Sequence, residues 1–168
     1  MKLVIADTGP LIHLHQAEAL DLLPMLGEVV VTPQVVREWS KQAVNLRPQS
    51  LPNWLNVVSP SSAAATRCES WVQSGLLHAG EAESLAVALE IQPDWFLTDD
   101  TAAREFATTL HVETHGTLGV LLWACGQKLV PEEQATLILD RLEHSSLWLS
   151  RRVRVEARQA LKQLFQRG

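Results

Sequence analysis

Short apolar runs alternate with stretches of helical period along the whole chain, and this alternation most limits what it can fold into. LVIA (3–6) reads as a buried strand, EVVVTP (28–33) as a second, DWFLTDD (94–100) as a third and HVET (111–114) as a fourth. WLNVV (54–58) is compatible with an edge strand or a loop. Between them, TGPLIHLHQAEALDLLPML (8–26) predicts one or two short helices, with Leu11, Leu14, Leu20, Leu22 and Leu23 on the apolar side and Gly27 as terminator. Pro33 suits the start of a helix over 34–41, where its missing N–H is not needed. Residues 42–52 carry two prolines and no period, which predicts a loop. Further helices are expected over 61–75, 78–92, 101–110, 115–127, 131–144 and 150–165. Short strands alternating with helices imply an α/β fold, a parallel sheet with helices on both faces. In such sheets chemistry gathers at the carboxyl ends of the strands, where Asp7, Asp99 and Asp100 fall.

A chain of 168 residues can bury one full core. No apolar run reaches the roughly 18 residues that a membrane span needs. Lys2 precedes only a short apolar stretch that Asp7 interrupts, unlike a signal peptide, so a cytoplasmic protein is expected. Cys68 and Cys125 form no CxxC and read as reduced thiols. The net charge of −5 argues against a globally basic surface for duplex nucleic acid. It is also uneven: residues 151–168 carry +5 through Arg151, Arg152, Arg154, Arg158, Lys162 and Arg167 against Glu156, which leaves −10 on residues 1–150.

That acidity includes carboxylates that a core would not choose. Asp7 ends the first strand, and Asp99 and Asp100 end another. Glu81 shares a helix face with Leu85, Ala88 and Leu89, a face expected to point toward the sheet, whereas Glu83 should point mostly outward. Glu38 lies near the face of Val35 and Trp39. Each has a plain explanation alone. Asp7 and one of Asp99 and Asp100 suit helix N-caps, Glu81 suits the positive end of a helix dipole, and Glu38 reads as a solvated glutamate. Together, carboxylates converging on one cleft raise one another's pKa values. A hard dication such as Mg²⁺, which takes oxygen ligands, removes that cost. It can also activate water and neutralise charge on a phosphodiester. Metal-dependent chemistry on phosphate esters is therefore expected.

The ordered set VIADTGPLIHL, PQVVREW, GEAESLAVAL, FLTDDTAAREFA and HGTLGVLL, spread over residues 1–127, resembles the PIN-domain family. The similarity is to its prokaryotic branch with GEAE, TDD-x-x-A-R and GTLGVL motifs, related to the VapC-type toxin ribonucleases. The resemblance implies a three-layer α/β/α sandwich over residues 1–150, with 151–168 as a basic amphipathic helix packed on the same domain. It also implies Mg²⁺ or Mn²⁺, RNA cleavage by a metal-activated water, a homodimer and a small antitoxin partner. Carried over by motif, Asp7, Glu81 and Asp100 or Asp99 would be metal ligands, with Asp100 favoured by its place after Thr98 and Glu38 as a further catalytic acid. Thr8 would orient Asp7 or hold a metal-bound water. The chain departs from the family near the last strand, where Glu113 is the sole acid and Thr114 and Thr117 offer the polar groups instead.

A catalytically weak PIN-fold module that binds nucleic acid or regulates is the alternative. An aspartyl-nucleophile phosphatase fits poorly because residue 9 is glycine, and a receiver domain lacks its lysine context. The last helix places Arg151, Arg154, Arg158 and Lys162 in one stripe, suited to RNA phosphates, to an acidic antitoxin or simply to water. Trp39, Trp71, Trp123 and Trp148 are placed in helical segments as core or dimer contacts rather than base platforms. His13 and His15 lie two apart and cannot both face a pocket from one helix. His78 and His115 flank two motifs as ordinary polar residues.

Overall fold

The structure is a computed structural model and describes residues 1–46 and 50–166, with the backbone alone for 43–46. Residues 47–49 of the expected loop, and Arg167 of the basic tail, lie outside the described residues. Five strands form one sheet: β1 (Lys2–Ala6), β2 (Gly27–Val31), β3 (Leu55–Val57), β4 (Trp95–Leu97) and β5 (Thr114–His115). Their order is β3-β2-β1-β4-β5, and every pairing is parallel. The helices are α1 (Thr8–Gln16), α2 (Leu22–Leu26), α3 (Pro33–Leu46), α4 (Ser62–Gln73), α5 (Ala79–Ile91), α6 (Thr101–Thr109), α7 (Thr117–Gly126), α8 (Glu132–Glu143) and α9 (Arg151–Gln166).

Both faces of the sheet are covered, which is why the strands read as nearly unbroken apolar runs. Successive side chains alternate between two cores, as the period of two requires. Val4, Ala6, Val29, Val31, Trp95 and Leu97 enter a core with residues of α1, α2, α7, α8 and α9. Ile5, Val30 and Phe96 enter a second with α5 and α6. The result is a three-layer α/β/α arrangement, as expected. Ala157 and Leu161 seat α9 in the larger core, whereas Leu164 is 37% exposed.

Three expectations need correction. The helix opened by Pro33 runs to Leu46, so 42–46 is helical rather than loop. Pro48 falls after Leu46, and no breaker stands before it. The strand expected over 111–114 is confined to Thr114–His115, because His111 takes a positive φ of 59° that closes α6. Glu83 does not face outward to solvent: its Oε1 accepts the Gln34 amide at 2.8 Å in the first turn of α3. The ambiguous run at 54–58 supplies β3, an edge strand. Among the described residues no helix is long and apolar enough to cross a membrane.

Candidate active site

The strand order places β1 and β4 side by side at the point where the chain stops building one half of the sheet and begins the other. Ligands of open α/β sheets bind outside the carboxyl ends of the strands at such a switch point. The Asp7 amide donates to Leu97 O at 2.9 Å, so the exits of the two strands are stitched together. Their following residues, Asp7 on one side and Asp99 and Asp100 on the other, therefore open into one cleft of about 1080 Å³. Glu38 from α3 and Glu81 from α5 line the same cleft, as do Thr8, His13, His78 and His115.

Asp7 is the most buried of the five acids, 6% exposed at the start of α1. It makes no side-chain capping bond to that helix, so the plain cap explanation fails for it. Burial raises its pKa to about 7, opposed by the Thr8 amide and reinforced by the charges of Glu81, Glu38 and Asp99. The Glu81 carboxyl is also raised, first by burial and then by Asp100 and Glu38, against the favourable His78 amide. That amide donates to Glu81 Oε2 at 3.0 Å, holding the carboxylate back against the start of α5.

The adjacent aspartates divide their work. Asp100 Oδ1 accepts the Ala103 amide at 2.8 Å and caps α6. Asp99 instead crosses to the next helix: Oδ1 accepts the Thr117 amide at 2.7 Å, and Oδ2 accepts the Thr117 hydroxyl at 2.5 Å. His13 Nδ1 also lies 2.7 Å from Asp99 Oδ2. Thr117 is fully buried, so its hydroxyl has no water to fall back on.

Glu38 is not a solvated glutamate. Its Oε2 accepts the Thr8 hydroxyl at 2.5 Å, and Oε1 accepts Gln34 Nε2 at 3.2 Å. Thr8 thus orients Glu38 through its hydroxyl. Of the two early histidines His13 lines the cleft, while His15 meets the Trp39 ring edge-on at 5.5 Å. Glu113 is exposed and pairs with His115 at 2.8 Å, outside the cleft lining.

Two glycines inside the resemblance motifs make room for these acids. A Cβ on Gly80 would sit 2.5 Å from Glu38 Oε2, and one on Gly116 would sit 2.8 Å from Asp99 Oδ1. Both contacts are shorter than van der Waals packing allows. Sequence reasoning missed these roles, although the glycines at the head of GEAE and of GTLG were a usable signal.

A family model described as a PIN domain matches residues 3–163. The chain belongs to the PIN-domain family. No curated protein matches it. Its nuclease-like PIN fold accounts for the switch-point cleft, and PIN nucleases act on nucleic acid with divalent metals. The donor set of this PIN domain is chemically suited to such an ion: five carboxylates line one cleft, and among the described residues none of them forms an ion pair with Lys or Arg. As placed, no three His, Cys, Asp or Glu side chains among the described residues form a closed group for a metal. Mg²⁺ keeps several waters and takes only one or two carboxylates directly, so an open arrangement does not conflict with it.

The basic stripe on α9 is less available than its spacing suggests. Arg158 donates to Asp140 at 2.6 Å and to Glu143 at 2.8 Å on α8, and Arg154 donates to Leu149 O. Such exposed pairs serve the ordinary packing of a surface helix. Trp148 lies in the irregular segment before α9 rather than in a helix, and it is 83% exposed rather than core.

Proposed function

We propose that this PIN domain is an endoribonuclease that uses Mg²⁺ or Mn²⁺ to hydrolyse RNA phosphodiesters. The observation that carries this reading is the buried Asp7 carboxyl, with a pKa near 7, set among four further acids at the β1–β4 switch point. A dication bound there would supply a water of lowered pKa and offset charge on the phosphodiester. Asp7, Glu81, Asp99 and Asp100 are the residues that would hold it. Thr117 fixes Asp99, and Thr8 fixes Glu38 beside it. Lys41 and Arg104 line the same cleft and bring positive charge for the RNA backbone to an otherwise acidic site.

The test is cleavage of a mixed single-stranded and structured RNA pool with Mn²⁺, with and without chelator, by the parent, Asp7→Asn and Glu81→Gln. We expect cleavage by the parent alone and its loss on chelation. A parent that cleaves equally well in chelator would sink the metal-dependent reading. The second reading, a weakly catalytic module that binds nucleic acid or regulates, is favoured by one observation. Glu38, Glu81, Asp99 and Asp100 already accept protein hydrogen bonds. RNA binding without cleavage in Mn²⁺ would select it.

The GEAE, TDD and GTLGVL segments support a further reading as a cytoplasmic, homodimeric toxin restrained by a small antitoxin. Growth arrest on expressing the parent, but not Asp7→Asn, in a bacterial host is its test.

A further inference from the structure

Trp148 is at odds with the rest of the chain. Trp39 and Trp95 are 4% and 5% exposed, whereas Trp148 is 83% exposed and lines the carboxylate cleft. Its exposure is imposed by its neighbours. Leu147 packs against the larger core, and Leu149 is buried at 8%. With both flanking side chains turned inward, Trp148 between them is left on the outside.

That backbone is anchored on both sides. The Ser146 amide and hydroxyl donate to Gln16 Oε1 at 2.9 and 2.8 Å. Beyond the tryptophan, Arg154 Nε donates to Leu149 O at 3.1 Å, and the Val153 amide donates to Ser150 Oγ at 3.2 Å. The indole is therefore presented on fixed chain, and little ordering is left to do when a ligand arrives.

The geometry points to Trp148 as a stacking platform for an unpaired nucleobase next to the phosphodiester that enters the carboxylate cleft. This rests on the nucleic-acid reading above and adds to it the base and the strand state. An aromatic face accepts any base and is worth a large share of single-strand affinity. Bases inside a duplex are already stacked on each other, so the occupant is a single strand. Lys41 and Arg104, in the same lining, suit the phosphates on either side of that base. A second copy of the chain, or another protein, fits less well. Closing an apolar interface here would strip water from five carboxylates that, among the described residues, share the lining with Lys41, Arg104 and three histidines, and burying charge is costly.

The experiment measures affinity of the full chain for a fluorescent single-stranded oligoribonucleotide in Mg²⁺, with phosphorothioate linkages that resist hydrolysis. Trp148→Ala should weaken binding roughly five- to 150-fold, and Trp148→Phe should restore most of it. Abasic nucleotides scanned along the strand should identify one position at which parent and Trp148→Ala bind equally weakly. Thermal melts check that the variants fold, and sedimentation reports oligomeric state. Unchanged affinity in a folded Trp148→Ala overturns the proposal. So does a change of oligomeric state with RNA affinity intact, which would assign the indole to a protein contact. A parent that binds this strand but leaves the unmodified RNA pool intact in the Mn²⁺ cleavage assay removes the nuclease reading and leaves the stacking platform standing. A parent that binds no RNA overturns both.

Discussion

Asp7→Asn should abolish RNA cleavage and, in metal-free buffer at pH 8, make the protein more stable. The loss of activity is expected to be about 10³-fold, equivalent to the several kcal/mol that a bound metal supplies. The gain in stability follows from the raised pKa. Asp7 has a pKa of about 7 in the fold, against a reference of 3.8. Between those values the folded state binds more protons than the unfolded one, so stability falls as pH rises. The destabilisation is absent below about pH 4, grows to pH 7 and is constant above. Three units would correspond to about 4 kcal/mol at most. We expect about half to be recovered by asparagine, or roughly 4–8 °C in Tm for a chain of this size. Thermal melts of both proteins from pH 4.5 to 8.5 check the sign: the gap should open with rising pH. A gap that closed with rising pH, or a variant less stable at pH 8, would contradict the burial argument.

Asp99→Ala should do the opposite to stability, and far more than Asp100→Ala beside it. Removing Asp99 strands the buried Thr117 hydroxyl and the first amide of α7, and removes a partner from His13. Hydrogen bonds to a charged group contribute about 1.5–3 kcal/mol each, and a stranded buried group costs its desolvation. A loss of about 2–4 kcal/mol is expected. Asp100→Ala loses one cap to Ala103, about 1 kcal/mol. Urea denaturation of the pair decides it. Equal losses, or a larger loss at Asp100, would show that Asp99 does not hold α7 as described. Two acids of one cleft, Asp7 and Asp99, thus carry opposite signs. Asp99 is tied to α7 and α1 by hydrogen bonds, and Asp7 is desolvated by burial.

The strands and the switch-point acids could be read from local pattern because they depend on neighbours in the chain. LVIA followed by Asp7, and WFL followed by Thr98-Asp99-Asp100, place acids at strand ends by spacing alone. Glu81 was readable from the face it shares with Leu85 and Ala88, both buried. Glu38 was underrated because what removes it from water is Thr8, 30 residues away, and no helical period encodes that. Glu83 deceived for the same reason: its partner is the amide of Gln34 on another helix. Which of Asp99 and Asp100 caps α6 could not be answered by counting along the chain. It is set by which acid meets the N-terminus of α6 and which meets that of α7, a matter of packing. Trp148 was misplaced because hydrophobicity argues for burial, and only the inward turn of Leu147 and Leu149 reverses it. The helical extension to Leu46 and the two-residue β5 are boundary effects, where the absence of a breaker and one left-handed residue outweigh periodicity.

The nuclease activity proposed for this PIN domain requires a divalent cation in the carboxylate cleft. Titration of metal-free protein with Mn²⁺, followed by the loss of the free-ion electron paramagnetic resonance signal at pH 7.5, measures this directly and without RNA. The parent should take up Mn²⁺, with affinity falling as pH drops below about 7 and Asp7 takes its proton. Asp7→Asn should bind at least tenfold more weakly, while Trp148→Ala should match the parent. No uptake by the parent, or equal uptake by parent and Asp7→Asn, would contradict the assignment of this cleft as the metal site.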